Sequence, residues 1–252
     1  GVASPFLPTF MSRRGLPPEQ LGLVLAAGTA VRLLTSPLAG RVGDLIHSLR
    51  RVLIVCLVLA ATVTLGYLGA RGFWLLLGMS LLHAASLAPI TILSDALALG
   101  SATAPSRSGT SSFEYGWVRG AGSAAFISGT LVSGQAVGAL GLDVIVGLQA
   151  ALLAAAACAA LTVPELSYTR APGAARIERG GVMALLRMRL FRNMVIIAAL
   201  ILGSHAMHDA FAVIRWSDAG IKPSTVSVLW SESVAAEVLV FFVIGPAAVT
   251  FL

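Results

Sequence analysis

An all-α membrane protein is the fold class this sequence predicts, and three observations carry the prediction. Seven long apolar segments separated by short loops occupy nearly all of the 252 residues. The composition is 57% hydrophobic and 11% charged with a mean hydropathy of +0.90, which would leave a water-soluble domain with more apolar surface than it could bury. The basic residues gather in the loops next to the segments. Each segment is about long enough to cross a ~30 Å hydrocarbon core as a helix, so lipid is the expected solvent.

In chain order, Gly1 to Met11 reads as the end of an earlier span. The first full segment, 20–40, holds Arg32 partway along and Pro37 near its end, and 52–70 carries Cys56. Segment 73–98 contains His83 and Pro89 and closes beside Asp95. Pro37 and Pro89 each remove a backbone bond and are expected to bend their helices. Segment 118–139 follows Tyr115 and includes Arg119, while 142–163 includes Cys158. The stretch 164–192 is rich in Gly, Pro and Arg and reads as a cytoplasmic connector between two bundles. Segment 193–213 contains His205, His208 and Asp209, and 224–245 contains Trp230, Glu232 and Glu237. Small residues at four-residue spacing, Gly116 with Gly120, Gly134 with Gly138 and Ser80 with Ala84, let helix backbones approach closely.

The expected organisation is therefore an N-terminal bundle over 1–163, a connector over 164–192, and the start of a second bundle over 193–252. Two six-helix halves are the simplest extrapolation, because parallel repeats of that kind occur in secondary transporters. The opening at Gly1 within a span and the close at Leu252 within an apolar stretch make a truncated chain the expectation, from the end of helix 1 through helix 8 of 12.

Loop charge sets the orientation. Arg41, Arg50, Arg51, Arg107, Arg119, Arg170, Arg176, Arg179, Arg187, Arg189 and Arg192 fall on one side, against Arg13, Arg14, Arg71, Arg215 and Lys222 on the other. The richer side is expected to face the cytoplasm. That tendency also accounts for the net charge of +6, and the arginines form no patch with interleaved aromatics, so no nucleic-acid partner is expected. Cys56 and Cys158 lie in separate spans and read as packing residues. The sequence contains no Gly-x-x-x-x-Gly-Lys-Ser/Thr loop, which argues against ATP-driven transport within this chain. No metal, no cofactor and no enzymatic constellation is expected, and the protein is read as a monomer.

The stretch Gly40 to Arg51 lies between spans on the expected cytoplasmic side. With Gly40, Asp44, Arg50 and Arg51 it resembles the loop signature of the major facilitator superfamily, although Leu45 stands where that signature has an adjacent Arg. A more specific resemblance rests on Ser94-Asp95-Ala96-Leu97-Ala98, on Tyr115-Gly116-Trp117-Val118-Arg119-Gly120 with the residues to Phe126, and on Trp230 with Ala235-Ala236-Glu237-Val238. In that order these look like the phenylpropionate permease-like proton symporters, a branch related to lactose permease; His205-Ala206 and Trp216 also fit. Departures are Met207, His208 and Asp209 after the His-Ala pair, and the extra acid Glu232. The resemblance implies a major facilitator type helical bundle, alternating access and proton coupling.

The residues themselves point the same way. Ionisable groups in hydrocarbon are costly, so those present usually face a cavity or a partner. His205, His208 and Asp209 stand at i, i+3 and i+4 and share one helix face. A His beside a carboxylate can exchange protons near neutral pH; the alternative is that the three only bond neighbouring helices. Glu237 is expected near the bilayer midplane, with Trp230 two turns earlier on nearly the same face, which suits a proton carrier lining a cavity or a neutral interhelical bond. Arg119 and Tyr115 share a face, and Asp95 is a candidate ion-pair partner of Arg119, serving either to lock one access state or as a permanent clamp. Glu114 and Arg107 read as solvated loop charges, His83 as a satisfied polar contact, and Arg32 has no evident neighbour in sequence.

The expectation that follows is a multi-pass transporter of the bacterial cytoplasmic (inner) membrane. It would import a small organic solute, an aromatic carboxylate, sugar or nucleoside, together with protons. A proton-driven exporter and a non-transporting receptor-like protein are the alternatives.

Overall fold

With no water in the bilayer core, every backbone group has to be satisfied within its own segment, and the helix does this. The computed structural model describes residues 1–103, 115–163 and 181–239, and all regular structure among them is α-helical. The order is α1 Leu7–Arg13, α2 Pro18–Leu45, α3 Leu49–Gly66, α4 Phe73–Thr103, α5 Tyr115–Leu140, α6 Val144–Thr162, α7 Gly181–Arg187, α8 Arg189–Asp218 and α9 Pro223–Leu239. Six of these, α2 to α6 and α8, are long and apolar enough to cross a membrane. Leu33, Leu34 and Leu38 on α2, Trp74 on α4 and Leu190, Leu200 and Leu202 on α8 are exposed, which a hydrocarbon solvent tolerates and water does not.

Local chemistry sets the ends. Pro17 precedes α2 in extended conformation and Pro18 opens it, where the missing N–H costs nothing. The Ser48 hydroxyl accepts from the Arg51 backbone N–H at 3.2 Å and caps α3. Gly141 and Gly220, each with φ above +80° or at it, end α5 and α8 in the left-handed conformation that favours glycine.

The helices differ from expectation in two places. Gly40 to Asp44 is not a loop: α2 runs through Pro37 to Leu45, leaving only Ile46, His47 and Ser48 between α2 and α3. Breaking a helix at proline would expose several backbone groups, whereas continuing forfeits one bond. The expected connector is helical from Gly181, in α7 and the first turn of α8, while 164–180 lies outside the described residues, as do Arg107 and Glu114. The seventh expected segment, 224–245, is described to Leu239.

Two apolar clusters organise the packing. At the ends where the arginines gather, inner by the expected orientation, Val52, Leu53 and Leu57 of α3 meet Leu93 and Leu97 of α4 and Ala157 and Ala160 of α6. At the outer ends, a larger cluster joins Phe10, Leu21, Leu76 and Val146 to Val213 of α8 and to Val226 and Trp230 of α9. The helices after the connector thus join the earlier ones at the outer ends. Val213 is the buried residue of α8, and the rest of that helix is exposed or half-buried among the described residues. Cys56 and Cys158 are free thiols; Cys56 is half-buried, and Cys158 is exposed on the flank of α6 among the described residues.

Candidate functional site

His208 of α8, with Asp209 beside it, meets the indole of Trp230 on α9. Counting at about 1.5 Å per residue, His208 stands ~15 Å from the outer end of α8 and Trp230 ~10 Å from the outer end of α9. The His208 imidazole stacks on Trp230 with centroids 5.6 Å apart and planes at 28°. Trp216 closes edge-on from the other side at 5.7 Å and 75°. Side chains on a helix lean towards its N-terminus, which brings Trp216 back over the turns that carry His208. His208 Nδ1 is 3.4 Å from Asp209 Oδ1, a long contact between half-exposed groups. Trp230 itself is 6% exposed and anchored in the outer cluster, so it gives the imidazole a fixed aromatic surface.

His205 is on the same helix but does not join this group, because its Nδ1 is 2.9 Å from the Ile201 carbonyl oxygen of its own helix. Glu237 is in α9 some 21 Å from its start, by the same rise per residue. Its side chain lies outside the described residues, as does that of Tyr115, the first residue of α5. Glu232 is exposed on α9. Trp216 belongs to the site although its spacing from His208 gave no such signal.

At the inner end, Arg119 Nη1 lies 3.4 Å from both carboxylate oxygens of Asp95. The pair ties α4 to α5, both of the bundle before the connector, and does not reach across to α8 or α9. Gly40 and Asp44 are one turn apart in the last turns of α2. Arg50, at the start of α3, donates from Nη1 to the carbonyls of Leu161 at 3.4 Å and Val163 at 2.8 Å, and so caps the C-terminal end of α6. Arg51 contributes its backbone N–H to the Ser48 cap. Replacing Arg50 with alanine is expected to lower stability by about 1–2 kcal/mol by leaving these carbonyls unpaired. Thermal unfolding of the two proteins in the same detergent measures it, and an unchanged midpoint would exclude a capping role.

Two features escape sequence reasoning. Arg14 donates to the Leu68 carbonyl at 2.9 Å and to Asp143 Oδ1 at 3.2 Å, with its guanidinium 4.8 Å above the Phe10 ring, clasping α1, α3 and α6 at the outer side. Within the first bundle, His83 is buried with its Nε2 2.9 Å from Gln149 Nε2 and its ring edge-on to Tyr67 at 5.5 Å. Neither group is encoded by a spacing, since its members come from three helices.

Comparison with known proteins bears on this arrangement. The family model described as "MFS_1 like family" matches residues 1–247. The chain is 32% identical over 252 residues to the Escherichia coli (strain K12) protein named "Probable 3-phenylpropionic acid transporter". That match covers 96% of this chain and 62% of the relative, so the chain spans less than two thirds of the curated relative's length.

Proposed function

The chain belongs to the MFS_1 like family of the major facilitator superfamily, a family of multi-pass helical bundles, and on that premise we propose that it imports a small aromatic carboxylate together with protons by alternating access. The observation that carries this reading is the His208 imidazole between two indole rings with Asp209 beside it. An imidazole exchanges protons near neutral pH, and indole faces suit an aromatic tail. A relative named as a transporter of 3-phenylpropionic acid, which has both an aromatic tail and a carboxylate, supports the same solute class for this chain.

In the proposed cycle, the bundle of residues 1–163 and the helices from 193 onward rock about a midplane site. His205, His208 and Asp209 with Glu237 link proton occupancy to solute binding, and Trp230 forms the aromatic wall. The two sets of helices pack against one another at the ends proposed to face outward. The Asp95–Arg119 pair, with Tyr115, Gly40, Asp44, Arg50 and Arg51, stiffens the cytoplasmic end of the first bundle so that it moves as one piece. The proposed location is the cytoplasmic membrane of a bacterium, with the arginine-rich side inward.

The test is proton movement in vesicles containing the native full-length protein. Adding 3-phenylpropionate outside is expected to alkalinise the outside beyond the signal of protein-free vesicles, through which the neutral acid leaks, and Glu237→Gln is expected to reduce that excess. No excess with any aromatic acid, sugar or nucleoside would sink the import reading, and acidification on solute addition would favour export.

A further inference from the structure

An arginine in the middle of a membrane-spanning helix calls for a polar partner or a water-filled cavity. Arg32 stands midway between Pro18 and Leu45 on α2, is exposed, and forms no ion pair among the described residues. Hydrocarbon makes an unpaired cation expensive, so such residues face a cavity or a pathway. Its surroundings are polar. Helix α2 crosses α4 where a β-carbon on Gly28 would meet that of Ala84 at 3.6 Å; Arg32 is one turn beyond Gly28, and His83 immediately precedes Ala84. Arg32 therefore follows by one turn the point at which α2 packs beside His83 of α4.

Tyr67 supplies the second observation. It is 1% exposed, and its hydroxyl lies near Ser80 but makes no hydrogen bond of full geometry among the described residues. Buried hydroxyls are almost always paired, so a phenol with no bond of full geometry, near a cation with no ion pair among the described residues, can donate to a further acceptor. His83, 5% exposed, is held in position by Gln149 and packs edge-on against the Tyr67 ring. A carboxylate satisfies both needs at once, since it accepts two parallel bonds from a guanidinium and a further one from a phenol. Tyr67 and Trp230 belong to the same packed cluster, which connects this polar group to the aromatic wall.

We propose that Arg32 is the anion anchor of the transport site, binding the carboxylate of the solute with the Tyr67 hydroxyl as second donor and the His83–Gln149 pair as its support. The proposal rests on the import reading only for the identity of the acid.

The experiment compares 3-phenylpropionate with its neutral amide, and with aliphatic carboxylates, on the native full-length protein in lipid nanodiscs. The wild type binds acids in preference to the amide. Arg32→Gln loses about 10- to 100-fold in affinity for the acid and keeps its affinity for the amide. Arg32→Lys falls between, because an ammonium keeps the charge without the two-pronged donor geometry. Labelling of wild-type Arg32 by phenylglyoxal, read by mass spectrometry, is slowed by the acid and not by the amide, which decides the matter if Arg32→Gln does not fold. Undiminished acid binding in Arg32→Gln, or labelling at Arg32 indifferent to an acid that binds, overturns the anchor. A wild type that binds no carboxylate also overturns it, while proton-linked uptake of a neutral solute by that protein would leave import intact. Arg32-dependent acid binding without proton-linked uptake upholds the anchor and removes the import reading.

Discussion

Replacing His208 with phenylalanine is expected to abolish solute-driven proton uptake while solute exchange across the vesicle membrane continues. The phenyl ring preserves the stack on Trp230, now 5.6 Å away at 28°, and the edge contact with Trp216. What is lost is the group that takes up and releases a proton. A positioned proton-transfer group contributes about 10²–10⁴-fold to the step it serves, so proton-coupled flux should fall by about 100-fold or more. Exchange of labelled for unlabelled solute needs binding and reorientation but no net proton transfer, and should survive. Asp209→Asn should cost less, because Asp209 meets His208 only through a 3.4 Å contact between half-exposed groups. Full proton flux in His208→Phe would remove His208 from the coupling and leave Glu237 and Asp209 as the proposed carriers.

Gly134→Leu is expected to separate α9 from α5. A β-carbon at Gly134 would overlap the Ser227 hydroxyl oxygen and β-carbon and approach the Pro223 carbonyl oxygen to 2.7 Å. Backbone cannot swing aside as a long side chain can, so α9 itself has to move. Overpacking typically costs about 1–3 kcal/mol, and leucine adds three carbons beyond that first one. In lipid, helix association depends on close packing with little hydrophobic drive to restore it, so the interface should open. The control is Gly138→Leu, since a β-carbon there meets nothing within 4 Å. Thermal unfolding in detergent should show a clear loss for the first and none for the second. Equal midpoints would mean that α5 and α9 do not pack through Gly134.

That pair of glycines shows how far the sequence could be read. Four-residue spacing marks both as close-approach candidates, and only the positions of Pro223 and Ser227 separate them. Asp95 and Arg119 were legible as partners because both lie at the inner ends of neighbouring spans. The partners of Arg50 were not, since it holds the carbonyls of Leu161 and Val163 more than a hundred positions away. His83 read correctly as a satisfied polar contact, but that Gln149 bonds it and that Tyr67 packs edge-on against it depends on three separate helices.

From the sequence alone came the solvent, the membrane-length helices, the family and the side on which the arginines gather. Each depends on local length, composition, motif order and loop charge, which the bilayer and the insertion process act on segment by segment. The tertiary structure decided which helix faces meet and which polar groups find one another. These spans are apolar nearly all round, so no polar stripe shows which face meets a neighbour and which meets lipid. In hydrocarbon that choice falls to the fit of small residues and to a few polar side chains, and both depend on helices far apart in the chain.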